Sequence, residues 1–326
     1  MNVRSALLGC VSLCAMALPC AAGVPAPASA ATRPGLLACP TTLDAIGRII
    51  APVMIDGTGP YRFLVDTGAN YSMMSPVLAK RLGLAPRADA LLKVTGITGT
   101  QSLPWVPVAR LRVGRFRLAN LRMPLSASPV MSGLDGILGL AGFPADRIAV
   151  DFRHNTVWIG DSSGGGAWGY LSIPAQRTPG GLLQVNARIG GVPVVAIIDT
   201  GSPRTLGNEA LHRILLRNAA RPKDNARIFG VTRQVSNGDM SGAPTVYLGP
   251  AAIGRLDIVY GDIPIFRIWH LEDRPAVVIG MDVLGTVDGL ILDYRRAHVY
   301  ILPHREQGVQ VMQTYSPLGS PLPGGP

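Results

Sequence analysis

The chain has 326 residues, 48% apolar and only 15% charged, which excludes wholesale disorder and leaves material for one large core or two smaller ones. Its 39 Gly and 28 Pro favour turns and short strands over a helical bundle. Lys and Arg exceed Asp and Glu by 30 to 20, a net charge of +10, but the basic residues, Arg62 and Arg204 among them, are scattered without dense runs or interleaved aromatics. Solvated surface charge is therefore the reading, and no nucleic-acid partner is expected.

Residues 1–30 read as an export signal. Asn2 and Arg4 give a short basic start, and residues 6–18 are apolar but too short to cross a bilayer core of roughly 30 Å. Ala28, Ser29 and Ala30 supply small residues for cleavage near Ala30, so the protein is expected to be exported, periplasmic or secreted. Of Cys10, Cys14, Cys20 and Cys39, only Cys39 survives such cleavage, and no internal disulfide can then form. The residues before Cys20 fit a lipoprotein signal poorly. No later apolar run reaches the roughly 20 residues of a spanning helix, so no transmembrane segment is expected in the mature chain.

A first lobe is expected over residues 31–160. Strands at 49–55 and 62–65 flank a turn at 56–60, and the second runs into FLVDTGA at 63–69. A short helix follows at 76–82, then KVTGITG at 93–99, whose glycines beside β-branched residues suit a mobile hairpin. DGILGL at 135–140 precedes a closing hairpin with VDFR at 150–153 and VWI at 157–159. Residues 161–181, with GGG at 164–166, read as a Gly/Ser/Pro-rich linker.

A second lobe, 182–303, repeats this order. Strands at 183–189 and 192–198 flank Gly190 and Gly191, AIIDTGS stands at 196–202, short helices are expected at 208–217 and 281–284, and IFGVTRQ stands at 228–234. AVVIGM at 276–281, LDYR at 292–295 and VYI at 299–301 close the series. Asp66 and Asp199 lie 133 residues apart, Gly139 and Gly280 lie 141 apart, and the closing hairpins 142. Conserved order with slowly drifting spacing is the mark of an internal duplication with loop insertions. Residues 304–326, ending PLGSPLPGGP, read as a flexible tail.

The two DTG tripeptides, each after paired aliphatics and each followed by an apolar, apolar, glycine segment, resemble the aspartic proteases of the pepsin and retropepsin kind, in particular exported bacterial relatives with two joined retropepsin-like lobes. The resemblance spans about residues 49–303. It implies an all-β fold of two homologous acid-protease lobes with a few short helices, in a monomer of pseudo-two-fold symmetry. It also implies Asp66 and Asp199 as the catalytic pair, with Thr67, Gly68, Thr200 and Gly201 supporting the two loops. Residues 137–139 and 278–280 would thread behind those loops as scaffold. The chemistry suits the residue types: two carboxyls about 3 Å apart cannot both ionise readily and so hold one proton. The ionised member takes a proton from water while the other donates to a peptide carbonyl, with no covalent intermediate. A protein or peptide substrate is implied, and no cofactor and no metal.

Other chemistries lack a site. The five histidines, His154, His212, His270, His298 and His304, form no HExxH or zinc-binding cluster. There is no GxSxG elbow, no GxGxxG and no P-loop. Asp135, Asp146, Asp151 and Asp293 read as turn carboxylates, and Trp105 and Trp269 as packing residues. The competing reading is a catalytically silent pepsin-like protein that binds peptides, although neither DTG loop is damaged. Ala69 stands where pepsins commonly have serine, and no flap tyrosine is evident. A carboxylate-pair glycosidase fits the two acids but not their duplicated context.

Overall fold

The computed structural model describes residues 36–140, 147–160, 168–178, 180–216, 224–254 and 256–304. The expected signal at 1–30, the triple glycine at 164–166, Asp146 and the tail beyond His304 lie outside them. The described residues are mostly β-strand with a few short helices, as the sequence led us to expect. Among them no helix is long and apolar enough to cross a membrane.

Each half is built on a hairpin whose second strand delivers an aspartate. In strand Ile49–Ile55 the side chains at 49, 51, 53 and 55 are buried, a period of two that lays one face on the core. Strand Thr58–Asp66 returns beside it after a turn in which Asp56 and Gly57 both have positive φ, 47° and 89°. The second half repeats the device: Leu183–Ile189 and Val192–Ile198 pair around Gly190 and Gly191, at φ 55° and 86°. Two consecutive left-handed residues match the right-handed twist of the flanking strands. The first turn is tighter than the 56–60 expected, because Asp56 and Gly57 alone supply both left-handed residues and Thr58 already pairs with Ile55.

Behind each hairpin a short apolar strand inserts in parallel. Gly136–Gly139 pairs with Thr58–Asp66, placing Gly139 opposite Asp66, and Ala276–Ile279 pairs with Val192–Ile198. All residues of both inserted strands are buried, which explains their unbroken apolar composition.

A third group of strands joins the halves. Arg147–Asp151 and Gly289–Asp293 pair antiparallel at its centre; Thr156–Gly160 and then Leu36–Pro40 extend it on one side, His298–Leu302 and then Leu171–Arg177 on the other. The strand preceding each half thus occupies the same outer place. Leu171–Arg177 corrects the linker expected at 161–181. Ile173 is buried within it and hydrogen-bonded neighbours flank both its edges, so a Pro- and Gly-rich neighbourhood concealed an inward-facing apolar residue.

The helices fall near their expected places, at Pro76–Arg81, Glu209–Leu216 and Met281–Leu284. Asn208 caps the second of these, its Oδ1 accepting the Leu211 N–H at 2.9 Å. A further helix, Pro264–Ile268, was not foreseen.

Inside the joining sheet Arg147 and Asp293 are both fully buried and form an ion pair at 3.8 Å, with Arg296 on the same carboxylate at 3.2 Å. Asp293 is thus a structural carboxylate, as is Asp135, which accepts the Arg62 N–H and pairs with Arg81. Removing one member of a buried pair leaves the other charge desolvated. Asp293→Ala should therefore lower stability by about 3 kcal/mol, read as a reduced urea midpoint with an unchanged slope.

Candidate active site

Asp66 and Asp199 stand at the ends of their strands, where the chain leaves the core, and the fold brings them together. Both are buried, and each carboxyl lies against the glycine of the opposite loop. The Gly68 N–H donates to Asp66 Oδ1 at 2.7 Å and the Gly201 N–H to Asp199 Oδ1 at 2.8 Å. Each glycine also leaves room for the opposite aspartate. A Cβ added at Gly68 would lie 2.6 Å from Asp199 Oδ1, and one at Gly201 would crowd the Asp66 carboxyl still more closely.

Thr67 and Thr200 tie the two loops to each other. The Thr67 N–H donates to Thr200 Oγ1 at 3.1 Å and the Thr200 N–H to Thr67 Oγ1 at 3.0 Å. Each hydroxyl then donates onward, Thr67 to the Ile198 carbonyl at 3.2 Å and Thr200 to the Val65 carbonyl at 2.8 Å. Both side chains are essentially solvent-free, so every donor in this exchange needs its partner.

Burial is the largest influence on both carboxyls and raises each above the ordinary carboxylate range. Asp66 is raised well above it, with the facing Asp199 charge adding to the effect and the Gly68 N–H opposing it. At Asp199 the Gly201 N–H and the hydrogen bond from Asp66 oppose the rise. One proton held by the pair satisfies both burial and mutual repulsion.

The carboxyls open into a cavity of about 760 Å³, large enough for several side chains of an extended ligand. Its walls include Met73, Leu134, Leu206, Ile228 and Val259. Two hairpin tips form its roof, at the positions expected for mobile flaps. Strands Arg87–Gly96 and Gly99–Val113 carry the first, Asp224–Phe229 and Val235–Ala243 the second. The tips meet: Thr98 and Thr232 hydroxyls lie 2.9 Å apart, and the Arg233 N–H donates to Gln101 Oε1 at 3.0 Å. Ser126 donates to the Val231 carbonyl at 2.7 Å and Ser128 to the Gly230 carbonyl. These partners went unseen in the sequence because their spacing of 102 to 134 residues carries no local pattern.

Neither tryptophan lines the cavity. Trp105 Nε1 donates to the Ala90 carbonyl at 2.6 Å, and Trp269 packs edge-on against Phe266. Ser202, the counterpart of Ala69, donates to the Arg204 carbonyl at 2.6 Å, so its hydroxyl braces its own loop. Among the described residues no three His, Cys, Asp or Glu side chains gather as a metal site.

The structure thus apposes two DTG loops beneath a roofed cleft in a mostly β fold. Residues 51–141, which include Asp66 and its inserted strand, match a protein family described as aspartyl protease. No curated protein matches the chain. The match supports an aspartyl protease family and, with it, a peptidase.

Thr200→Val would strip the Thr67 N–H of its acceptor and the Val65 carbonyl of a donor. A loss of roughly 2 kcal/mol is expected from the buried groups left unpaired, measured by urea unfolding, with Thr200→Ser restoring most of it.

Proposed function

We propose that the protein is an aspartic endopeptidase in which Asp66 and Asp199 together activate one water against a peptide bond. The observation that carries this reading is the apposition of two buried carboxyls, each against the glycine of the opposite loop, on loops interlocked by Thr67 and Thr200. A water bound between them would lose a proton to the ionised carboxylate as its oxygen attacks the carbonyl carbon. The protonated partner would donate to the carbonyl oxygen, giving a neutral tetrahedral diol. Proton return to the amide nitrogen then breaks the C–N bond and releases both products without a covalent enzyme intermediate. Thr67, Gly68, Thr200 and Gly201 act as positioning residues. The proposal includes two homologous lobes in one monomeric chain, export after cleavage near Ala30, and a peptide or protein substrate.

Asp66→Asn and Asp199→Asn should each lower the cleavage of a diverse peptide mixture by at least about a hundredfold while leaving the circular dichroism of the fold unchanged. Retained cleavage in either variant would overturn the assignment. A statine-type inhibitor should block the unmodified protein.

The raised carboxyls also fix two pH dependences. Activity needs the shared proton, so it should decline as pH rises through the upper apparent pKa of the pair. The folded state holds protons that the unfolded chain has released above the ordinary carboxylate pKa of about 4. Stability therefore falls as pH climbs through that window. Asp66→Asn removes the titration, and its melting temperature should exceed the parent's by about 2–4 °C at neutral pH, with the gap closing toward pH 4.

A further inference from the structure

We propose that the cleft selects peptides carrying aspartate or glutamate close to the scissile bond, through the guanidinium groups of Arg62, Arg204 and Arg227. The inference rests on the reading of Asp66 and Asp199 as a peptide-hydrolysing pair and names the substrate class for it.

The charged side chains lining the cavity are unequal in sign. On the acidic side stand Asp44, Asp66 and Asp199, and on the basic side Arg48, Arg62, Arg204 and Arg227. Asp44 is fully engaged: Arg48 Nη2 lies 2.8 Å from its Oδ2, and the Ile46 and Arg48 N–H groups donate to its Oδ1. That pair is neutral as a unit. The aspartate pair with its shared proton carries one negative charge. Three exposed arginines remain, leaving the cleft with a positive surplus.

Among the described residues, none of the three makes an ion pair. The carboxylate nearest to the Arg62 backbone, Asp135, is occupied by the Arg62 N–H and by Arg81 at 2.8 Å. Burial raises the Asp282 carboxyl and the Arg204 charge only opposes that rise, while the oxygens of Asp282 accept the Thr205 N–H at 2.9 Å and the Thr205 hydroxyl at 2.7 Å. Arg227 lies over the Phe229 ring, 5.1 Å from its centroid. Such stacking orients a guanidinium plane and leaves its N–H edge free.

The three come from separate parts of the cleft. Arg62 is on strand Thr58–Asp66, Arg204 follows the second DTG loop, and Arg227 is on strand Asp224–Phe229, which rises to the roof. An extended peptide crossing the aspartates passes between them, and its alternate side chains turn toward the walls. A carboxylate there meets a planar fork of donors at about 2.8 Å. A glutamine in the same place gains no charge attraction, and a lysine is repelled. The arginines are solvent-exposed, so the preference is of moderate size and screened by salt.

The test compares peptides that differ only by Glu or Gln at each position within a few residues of the cleaved bond. The expected result is a kcat/KM ratio of about ten in favour of Glu at one or more positions, carried mainly by KM and shrinking as ionic strength rises. Arg62→Gln, Arg204→Gln and Arg227→Gln combined should bring the ratio toward one. Equal rates for Glu and Gln peptides at every position, or a ratio that survives the triple substitution, would overturn the proposal. Binding of the same peptides with a reduced, uncleavable bond separates the two claims. A Glu preference in Kd with no cleavage of any ordinary peptide would overturn the hydrolytic reading alone, and equal Kd values would overturn the arginine assignment.

Discussion

Everything at the centre of this molecule depends on holding two carboxyl groups together that would repel each other if both were ionised. The side-chain and backbone exchange between Thr67 and Thr200 meets that demand. Because each hydroxyl accepts from the opposite loop and donates to the strand leading into that loop, neither loop can relax away from its counterpart without exposing unpaired buried donors. The carboxyls are thereby held facing each other, and burial together with repulsion favours one retained proton.

The rest of the architecture serves that contact. The inserted strands Gly136–Gly139 and Ala276–Ile279 press the loops from behind. The joining sheet, centred on Arg147–Asp151 and Gly289–Asp293, sets the distance between the halves over which the loops must meet. Above, the roof hairpins reach across the halves as well, since Ser126 and Ser128 from the first half hold the carbonyls of the second tip. The halves are therefore bonded at floor and at roof, with the cavity between.

Much of this was legible in the sequence because its signals are local. The strands at 49–55, 183–189 and 192–198 announce themselves by alternation or aliphatic runs bounded by left-handed turn residues. The duplicated DTG context marked Asp66 and Asp199 before any geometry was known. What stayed hidden was non-local or compositionally masked. Ile173 sits in a stretch rich in glycine, serine and proline, a composition that reads as a linker and conceals the strand. The equivalence of Leu36–Pro40 and Leu171–Arg177 at the two outer places of the joining sheet carries almost no shared sequence. Thr98, Ser126, Ser128 and Thr232 are small hydroxyl residues whose role appears only when distant segments converge. The scattered arginines looked like ordinary surface charge, because the sequence does not show that three of them surround one cleft.

Cys39 lies in an outer strand of the joining sheet, essentially without solvent contact, and burial pushes its thiol up to about 11. As the sole cysteine among the described residues it has no sulfur to bond with, and its thiolate form is scarce at any physiological pH. Among the described residues the fold is therefore held without a disulfide, and reductants or thiol-reactive compounds in the surroundings will find little to attack at Cys39.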